Sequence, residues 1–379
     1  MDFNLTSEQK LIRQTAADFS RDELKEGAVD RDKNKIWPKE QVEKMAKLGF
    51  MGMMVDENWG GSGLDTISYC IAMEEISKVD ASAGVIMSVN NSLVCYLLNK
   101  YGSESLKEKY LISLAKGDKL GAFSLSEPQS GSDASNMKTY ATLDGDHYIL
   151  SGTKNWVTNG ISCDYVIVFA LTKKGVGHKG ISCFLVEKSF EGFSTGKPEQ
   201  KLGIRSSDTC ELYFDNVKVP KENLIGGEGD GFKIALSTLD GGRIGIASQA
   251  LGIAQASLEA SIDYSKEREQ FGKPISSNQG IQFKLADMAM EIEASRLLIY
   301  KAAIAKDEGR DYGHIASMAK VYASEVAMRA STQCVQIHGG YGYVKETGVE
   351  RLMRDAKITQ IYEGTSEIQR VVIARELLK

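Results

Sequence analysis

The sequence predicts an α+β fold that is mostly α: a helical domain over residues 1–120, a central antiparallel β-domain over 121–231, and a C-terminal four-helix bundle over 232–379. Three observations predict it. Apolar residues recur at helical spacing through the first hundred or so positions. Short β-type runs separated by turn residues fill the middle third, and helical periodicity returns after Phe232 and stays.

In the first part, Thr6-x-x-Gln9 has the form of a capping box before an amphipathic run through Leu11, Ile12, Ala16 and Phe19. Pro38, then Val42, Met45 and Leu48 with Gly49 behind them, carries helical start and stop signals. Gly60, Gly61 and Gly63 break the chain, and helical spacing resumes through Ile67, Ile71, Met73 and Ile76 and again through Leu93, Leu97 and Leu98. In the middle, strands are expected at 147–150, 165–170, 181–186 and 210–214, with turn chemistry at Asp144-Gly145 and Gly175-x-Gly177. The spacing is too short for crossover helices, which favours an antiparallel sandwich or barrel over a parallel sheet. The last part reads as four long helices at 234–264, 279–307, 315–337 and 367–378, several broadly apolar, as in a bundle whose faces also meet partner subunits. No internal repeat or low-complexity linker separates the parts, so they are expected to pack as one body.

At 379 residues and a net charge of -5, the chain can bury a large core and shows no basic face for nucleic acid or anionic membrane. Its longest uninterrupted apolar run, 165–171, is short of the ~20 residues of a membrane helix, and the polar start at 1–10 reads as neither signal nor transit peptide. A cytoplasmic or equivalent location is expected. The six cysteines form no CxxC pair and the four histidines are scattered, so neither a metal site nor a His-driven triad has local support.

The chemistry concentrates in a few segments. Tyr362-Glu363-Gly364-Thr365-Ser366-Glu367 places a carboxylate before glycine and two hydroxyls, which suits proton abstraction beside a cofactor, or else ends one element and caps the next helix with Thr365 or Ser366. The run from Phe123 through Ser124, Leu125, Ser126, Gly131 and Ser132 to Asp133 gathers hydroxyls, small residues and amides at the head of the β-region, fit for a flavin's polar edge or simply a structural loop. Trp156-Val157-Thr158 puts an indole and a hydroxyl on one side of a strand, although a buried tryptophan is also ordinary core. Asp240-Gly241-Gly242-Arg243 opens a small-residue helix that permits close approach. The Lys266-to-Gly272 run with Arg268 and Phe271, and Gln336-Ile337-His338-Gly339-Gly340, read as a solvated charge run and a helix C-cap or as binding segments. No strand-associated GxGxxG or P-loop occurs.

Taken in order along the whole chain, these segments resemble the acyl-CoA dehydrogenase family, most closely its bacterial short-chain, butyryl-CoA members. The resemblance implies the helical, β and four-helix layout of that family, a homotetramer, one FAD per subunit, and an acyl-CoA between flavin and base. It implies that Glu363 removes the α-proton of the thioester while the β-hydrogen leaves as hydride to the flavin. Carried over residue by residue, FAD contacts fall on Phe123, Ser124, Leu125, Ser126, Gly131, Ser132, Trp156, Val157, Thr158, Gln336, Ile337, Gly339, Gly340, Thr365, Ser366 and Glu367. Arg268, Phe271 and Gln279 match positions that reach FAD across a subunit interface. Substrate contacts fall on Ser132, Asp240, Gly241, Gly242, Arg243, Tyr362 and Gly364. The partner implied is an electron-transferring flavoprotein.

Two departures narrow this. Some relatives carry the base immediately before the Arg that Arg243 matches, where this chain has Gly242, leaving Glu363 as the candidate. Glutaryl-CoA members hold a distal carboxylate with an Arg in the region matching 80–94, which here has no cation, so a short neutral acyl tail is implied with Val85, Val89 and Leu93 as walls. An α-proton beside a thioester needs a desolvated base and hydrogen bonds to the enolate oxygen, which the Glu363 backbone N–H and a ribityl hydroxyl supply in this family. The alternatives are an acyl-CoA oxidase, usually much longer, and a non-catalytic acyl-CoA-binding protein, which would have a damaged base or flavin site.

Overall fold

The fold is that of a computed structural model, which describes residues 4–379; what the sequence predicts for residues 1–3 lies outside the described residues. It opens with α1 (Ser7–Phe19), whose capping box is formed: Gln9 N donates to Thr6 Oγ1 and Thr6 N donates to Gln9 Oε1, both at 3.1 Å. Then come α2 (Ala28–Asn34), α3 (Lys39–Lys47), which follows Pro38 and stops before Gly49, and α4 (Thr66–Val79), capped by Asp65. Asp80 caps α5 (Ala81–Ser88), which continues through a π-helical stretch, Val89–Cys95, into α6 (Tyr96–Tyr101). Two short helices, α7 (Glu104–Leu106) and α8 (Ile112–Lys116), complete this part.

The stretch Ala81–Tyr101 is long and apolar enough to cross a membrane by length and composition, yet 94% of its apolar window is buried inside the fold. The apolar-run criterion passed over it because Ser88, Asn90, Asn91 and Ser92 interrupt the pattern. These polar groups are buried and paired internally: Asn91 Nδ2 donates to the Phe50 and Met87 carbonyls at 2.7 and 3.0 Å.

The sheet comprises β1 (Gly121–Ser124), β2 (Tyr140–Asp144), β3 (His147–Thr158), β4 (Tyr165–Leu171), β5 (Ile181–Glu187), β6 (Phe193–Thr195), β7 (Thr209–Pro220) and β8 (Leu224–Ile225), in the order β6-β7-β3-β2-β4-β5-β8. Most pairs are antiparallel, as expected, but β1 runs parallel to β4, and β2 meets β4 through one parallel pair, so the sheet is mixed. The parallel pairing is possible because the β2–β3 hairpin intervenes, giving β1 and β4 the long connection that such pairing needs. Strand β4 explains its own unbroken apolar run. Ile167 and Phe169 join the core shared with the helices, while Val166, Val168 and Ala170 join a second core on the other face.

The C-terminal part begins with α9 (Gly231–Glu267), followed by a hairpin of β9 (Glu269–Gln270) and β10 (Lys273–Pro274), then α10 (Gln279–Asp307), α11 (Gly313–His338), the short α12 (Gly340–Tyr343), α13 (Val349–Thr359) and α14 (Ser366–Leu377). The four expected long helices are present. The sequence reading missed α13, a short, charged, amphipathic helix that ties the parts together: Arg351 donates to the Val79 carbonyl at 2.8 Å, Arg354 pairs with Asp32 at 2.7 Å, and Asp355 accepts from Ile204 N at 2.6 Å. Helix α9 approaches α4 so closely that a Cβ on Gly252 would stand 2.4 Å from the Glu74 carbonyl oxygen. The helices and one face of the sheet share one continuous core.

Candidate active site

Glu363 lies in the turn between α13 and α14 at φ 53°, a left-handed conformation unfavourable to a residue with a side chain, and Gly364 follows at φ 89°. The side chain is partly buried overall, but Oε2 is fully enclosed and has no hydrogen-bond partner. Burial pushes the carboxyl up to about 7, opposed by the positive charges of Lys320 and then Arg243. A Cβ on Gly242 would stand 2.2 Å from that Oε2 and 2.8 Å from Leu93 Cδ2. The absence of a side chain at 242 is therefore what admits the Glu363 carboxylate, and Leu93 borders the same space. Val85 and Val89, the other expected pocket walls, are buried on the same continuous helix.

Arg243 is 5% exposed; it pairs with Asp240 at 2.5 Å and donates to Ser317 Oγ at 3.3 Å, leaving its Nε buried without a partner. Burial lowers its proton affinity and raises that of Asp240, whose pairing with Arg243 opposes the rise. Gly241 is buried, and a Cβ there would make ordinary contacts with Tyr312 Oη at 3.8 Å and Lys306 Cε at 4.0 Å. Tyr362 donates to Gln249 Oε1, and Gln249 Nε2 donates to the Ala81 carbonyl at 2.8 Å, linking the turn to the start of α5.

Three residues that the sequence reading missed complete this cluster. Lys320, fully buried on α11, donates to the Gly364 carbonyl at 2.7 Å, and burial pushes its ammonium down to about 7 despite the Glu363 charge. Gln369, fully buried on α14, donates to the carbonyls of Glu363 and Gly364 at 3.1 and 2.8 Å. Gln249 is the third. Lys320 had a visible signal: a lysine in phase with Ala316, Ala319, Ala323 and Ala327 on the buried face of an apolar helix. Gln369 had none.

The Phe123 segment leaves β1 as a loop organised by Glu127. This buried carboxylate accepts from Lys154 Nζ at 2.9 Å, Lys138 N at 2.6 Å and Thr139 N at 3.0 Å. The hydrogen bonds and the Lys154 charge hold it below the usual range against burial, which pushes Lys154 down to about 8. Ser124 Oγ donates to the Ile167 carbonyl at 2.8 Å, and Leu125 and Val157 are core, so those side chains are committed to the fold and only their backbones remain for a ligand. Phe123 and Ser126 are partly buried, and Gly131 and Ser132 are exposed.

Trp156 is not a core residue. A bulge between Lys154 and Val157 puts it at φ 59° with 64% of its surface exposed, while buried Val157 separates it from partly buried Thr158. Nearby Asn155 Oδ1 is buried without a partner. Thr365 is the N-cap of α14, accepting from Ile368 N at 3.3 Å; Ser366 Oγ is buried and unpartnered, and Glu367 is exposed in the first turn. The exposed indole, the open backbone at Gly131 and the unpaired Asn155 Oδ1 suit a planar heteroaromatic group with a polar edge, and the α14 N-terminus separately suits an anionic one.

Of the remaining expected residues, Arg268, Ile337, Gly339 and Gly340 line a second cleft of about 620 Å³, together with Tyr264, His338 and Tyr341, whereas Phe271, Gln279 and Gln336 do not line it. His338 stacks on Tyr264 with centroids 4.2 Å apart. Gln336 and Gln279 are exposed, and Phe271, at the tip of the β9–β10 hairpin, is 99% exposed.

The family models match part by part: acyl-CoA dehydrogenase N-terminal domain over residues 6–118, middle domain over 122–217 and C-terminal domain over 229–378. A short-chain specific acyl-CoA dehydrogenase of Clostridium acetobutylicum is 51% identical over 379 residues, covering all of both chains. The chain belongs to the acyl-CoA dehydrogenase family. Members of this family are FAD-dependent oxidoreductases. Butyryl-CoA dehydrogenase from Megasphaera elsdenii superposes on this dehydrogenase with a TM-score of 0.99 at 50% identity over all of both chains. A chain from a structure of the electron transferring flavoprotein of Acidaminococcus fermentans does so at 0.99 and 52%, again over all of both chains.

Proposed function

We propose that the protein is a FAD-dependent short-chain acyl-CoA dehydrogenase that converts a butyryl-CoA-like thioester to its trans-2-enoyl-CoA and passes the electrons to an electron-transferring flavoprotein. The observation that carries this reading is the Glu363 carboxyl, enclosed, unpartnered and raised to about 7 in a space that Gly242 leaves open. A base of that proton affinity is matched to neutral pH. Glu363 takes the α-proton, its backbone N–H donates to the thioester carbonyl, and Lys320 and Arg243 hold positive charge beside the developing negative one. FAD, when bound, supplies the acceptor for the β-hydride. Trp156, Thr158, Ser126, Ser132 and Thr365 to Glu367 hold it on this chain, and Arg268, Phe271 and Gln279 reach a neighbour's cofactor in a homotetramer. Leu93 and the cation-free 80–94 stretch favour a short neutral acyl chain, and the protein works in the cytoplasm or an equivalent compartment.

The test is to purify the protein, record its visible spectrum, and assay acyl-CoAs from C4 to C16 and glutaryl-CoA with the flavoprotein acceptor and with oxygen separately. A yellow protein with a C4 optimum and the flavoprotein as the better acceptor is expected, with neighbouring lengths slower because a methylene is worth only ~1–3 kcal/mol. Glutaryl-CoA should not react. A C12 optimum or preference for oxygen overturns the assignment, and a folded protein that takes up no FAD removes it entirely.

A further inference from the structure

We propose that Lys320 and Gln369 are positioning residues for the base: two buried donors, from α11 and α14, grip the carbonyls of Glu363 and Gly364 and hold Glu363 in its left-handed turn with the carboxylate facing Gly242. The inference rests on Glu363 being the base.

A glutamate at φ 53° is strained, and such a conformation persists only where its surroundings fix it. Here two consecutive carbonyls turn inward, away from water, and both find side-chain donors. Gln369 Nε2 spans them at 3.1 and 2.8 Å, and Lys320 Nζ takes the second at 2.7 Å. Both donors are fully buried and come from different helices, so the turn is fixed to the bundle from two sides.

Gly364 is shaped for this arrangement. At φ 89°, a Cβ there would fall 2.6 Å from Gln369 Nε2, expelling the donor. Burying an ammonium against a neutral carbonyl is expensive, because that oxygen carries no compensating charge. Among charged groups, Lys320 exerts the largest pull on Glu363, ahead of Arg243 on α9. Lys320 is itself faced by Glu363, by Arg243, by Glu367 on α14 and by Glu325 on its own helix. Lys320 thus combines a hydrogen bond that orients the base with a charge that favours its ionised form, while Gln369 contributes orientation only.

The experiment compares wild type with Lys320→Met, Lys320→Arg, Gln369→Leu and, as reference, Glu363→Gln. Three quantities are read: the rate of flavin reduction by saturating butyryl-CoA across pH, the affinity for a non-reducible acyl-CoA analogue, and the infrared carboxylate band of Glu363 in the holoenzyme, identified by its loss in Glu363→Gln. Lys320→Met is expected to bind the analogue and to reduce its flavin about 10- to 10²-fold more slowly, the scale of a misplaced reacting group. Its Glu363 band and the acid limb of its rate profile should both move to higher pH. Lys320→Arg should restore the limb. Gln369→Leu should slow reduction without moving it.

A wild-type rate and limb in Lys320→Met, or a loss confined to analogue affinity, overturns the proposal. Should Lys320→Met not fold, Gln369→Leu decides: a wild-type rate there overturns it. A wild-type rate in Glu363→Gln would instead remove the base assignment, so the two failures are told apart.

Discussion

Glu363 and Phe271 share nearly the same positive φ, 53° and 54°, in opposite surroundings. At Glu363 the turn is enclosed, and two buried side chains of the same chain hold its carbonyls. At Phe271 the turn joins the two short strands of a hairpin and the ring is 99% exposed. A two-residue hairpin turn favours Asn-Gly at these positions, so a phenylalanine there is a local cost that its own chain does not repay. The inner cluster is held by side chains of its own chain, whereas the outer one leaves a large apolar ring in solvent. The difference teaches where substitutions should act: on the chemical step at the inner site, on assembly and cofactor retention at the outer one.

The largest expected effect tests the inner half of that comparison. Glu363→Gln should keep fold, flavin and acyl-CoA binding and lose about 10²-fold or more in flavin reduction, because the amide is nearly isosteric but accepts no proton. Stopped-flow bleaching of the flavin by butyryl-CoA reads it directly, and a rate near wild type would place the base elsewhere.

Gly242→Ala comes next. The new methyl would stand 2.2 Å from Glu363 Oε2, so the carboxylate must move, and a displacement of about 1 Å is expected to cost roughly 10²-fold in rate. Alanine is also the better helix former by about 1 kcal/mol, so the melting temperature should not drop in proportion to the lost activity. Equal losses of stability and rate would show that position 242 serves packing alone.

A smaller effect, about tenfold per pH unit, should appear in wild type on acidification. Glu363 acts ionised and its carboxyl is raised to about 7, so kcat/KM should fall as pH drops through that value. The same shift has a cost to stability. A carboxyl whose proton affinity is higher folded than unfolded stabilises the fold below the unfolded value, near 4.5, and that contribution is lost as pH rises through about 7. Glu363→Gln should therefore gain stability over wild type at pH 8 more than at pH 5, measured by denaturant titration. The opposite order would mean that the carboxyl is not raised.

How far the sequence reveals these sites follows from what each residue depends on. The capping box at Thr6 and Gln9, the long helices and the apolar strand β4 are written in local patterns, and they appear where the patterns place them. Glu363 and Gly242 were legible through motif order, but their meeting in one space is a property of the packed turn. Trp156 depended on a bulge that no alternation rule anticipates. Lys320 and Gln369 act through contacts 44 and 5 residues away, and only the lysine's place on an apolar helix face left a trace. The parallel pairing of β1 with β4 was hidden because it joins two strands separated by the whole β2–β3 hairpin.

The smallest expected effect tests the outer half of the comparison. Arg268 is exposed at the end of α9, and its guanidinium lies 5.9 Å from the ring centroid of Tyr341, across the cleft that also holds Gly339 and Gly340. Such an exposed cation–π contact is worth about 0.5–1 kcal/mol, so within one chain Arg268→Ala should change stability only slightly. If the cleft is completed by a second copy of the chain and its cofactor, the same substitution removes a charged partner from both. FAD affinity should then fall by about two- to fivefold on that scale, with the assembly weakening in step. Analytical ultracentrifugation at several protein concentrations, with and without added FAD, separates the possibilities. Assembly and FAD affinity that decline together, and assembly partly restored by excess FAD, would tie the outer cleft to a shared cofactor. A variant unchanged in both would reduce Arg268 to a solvated charge.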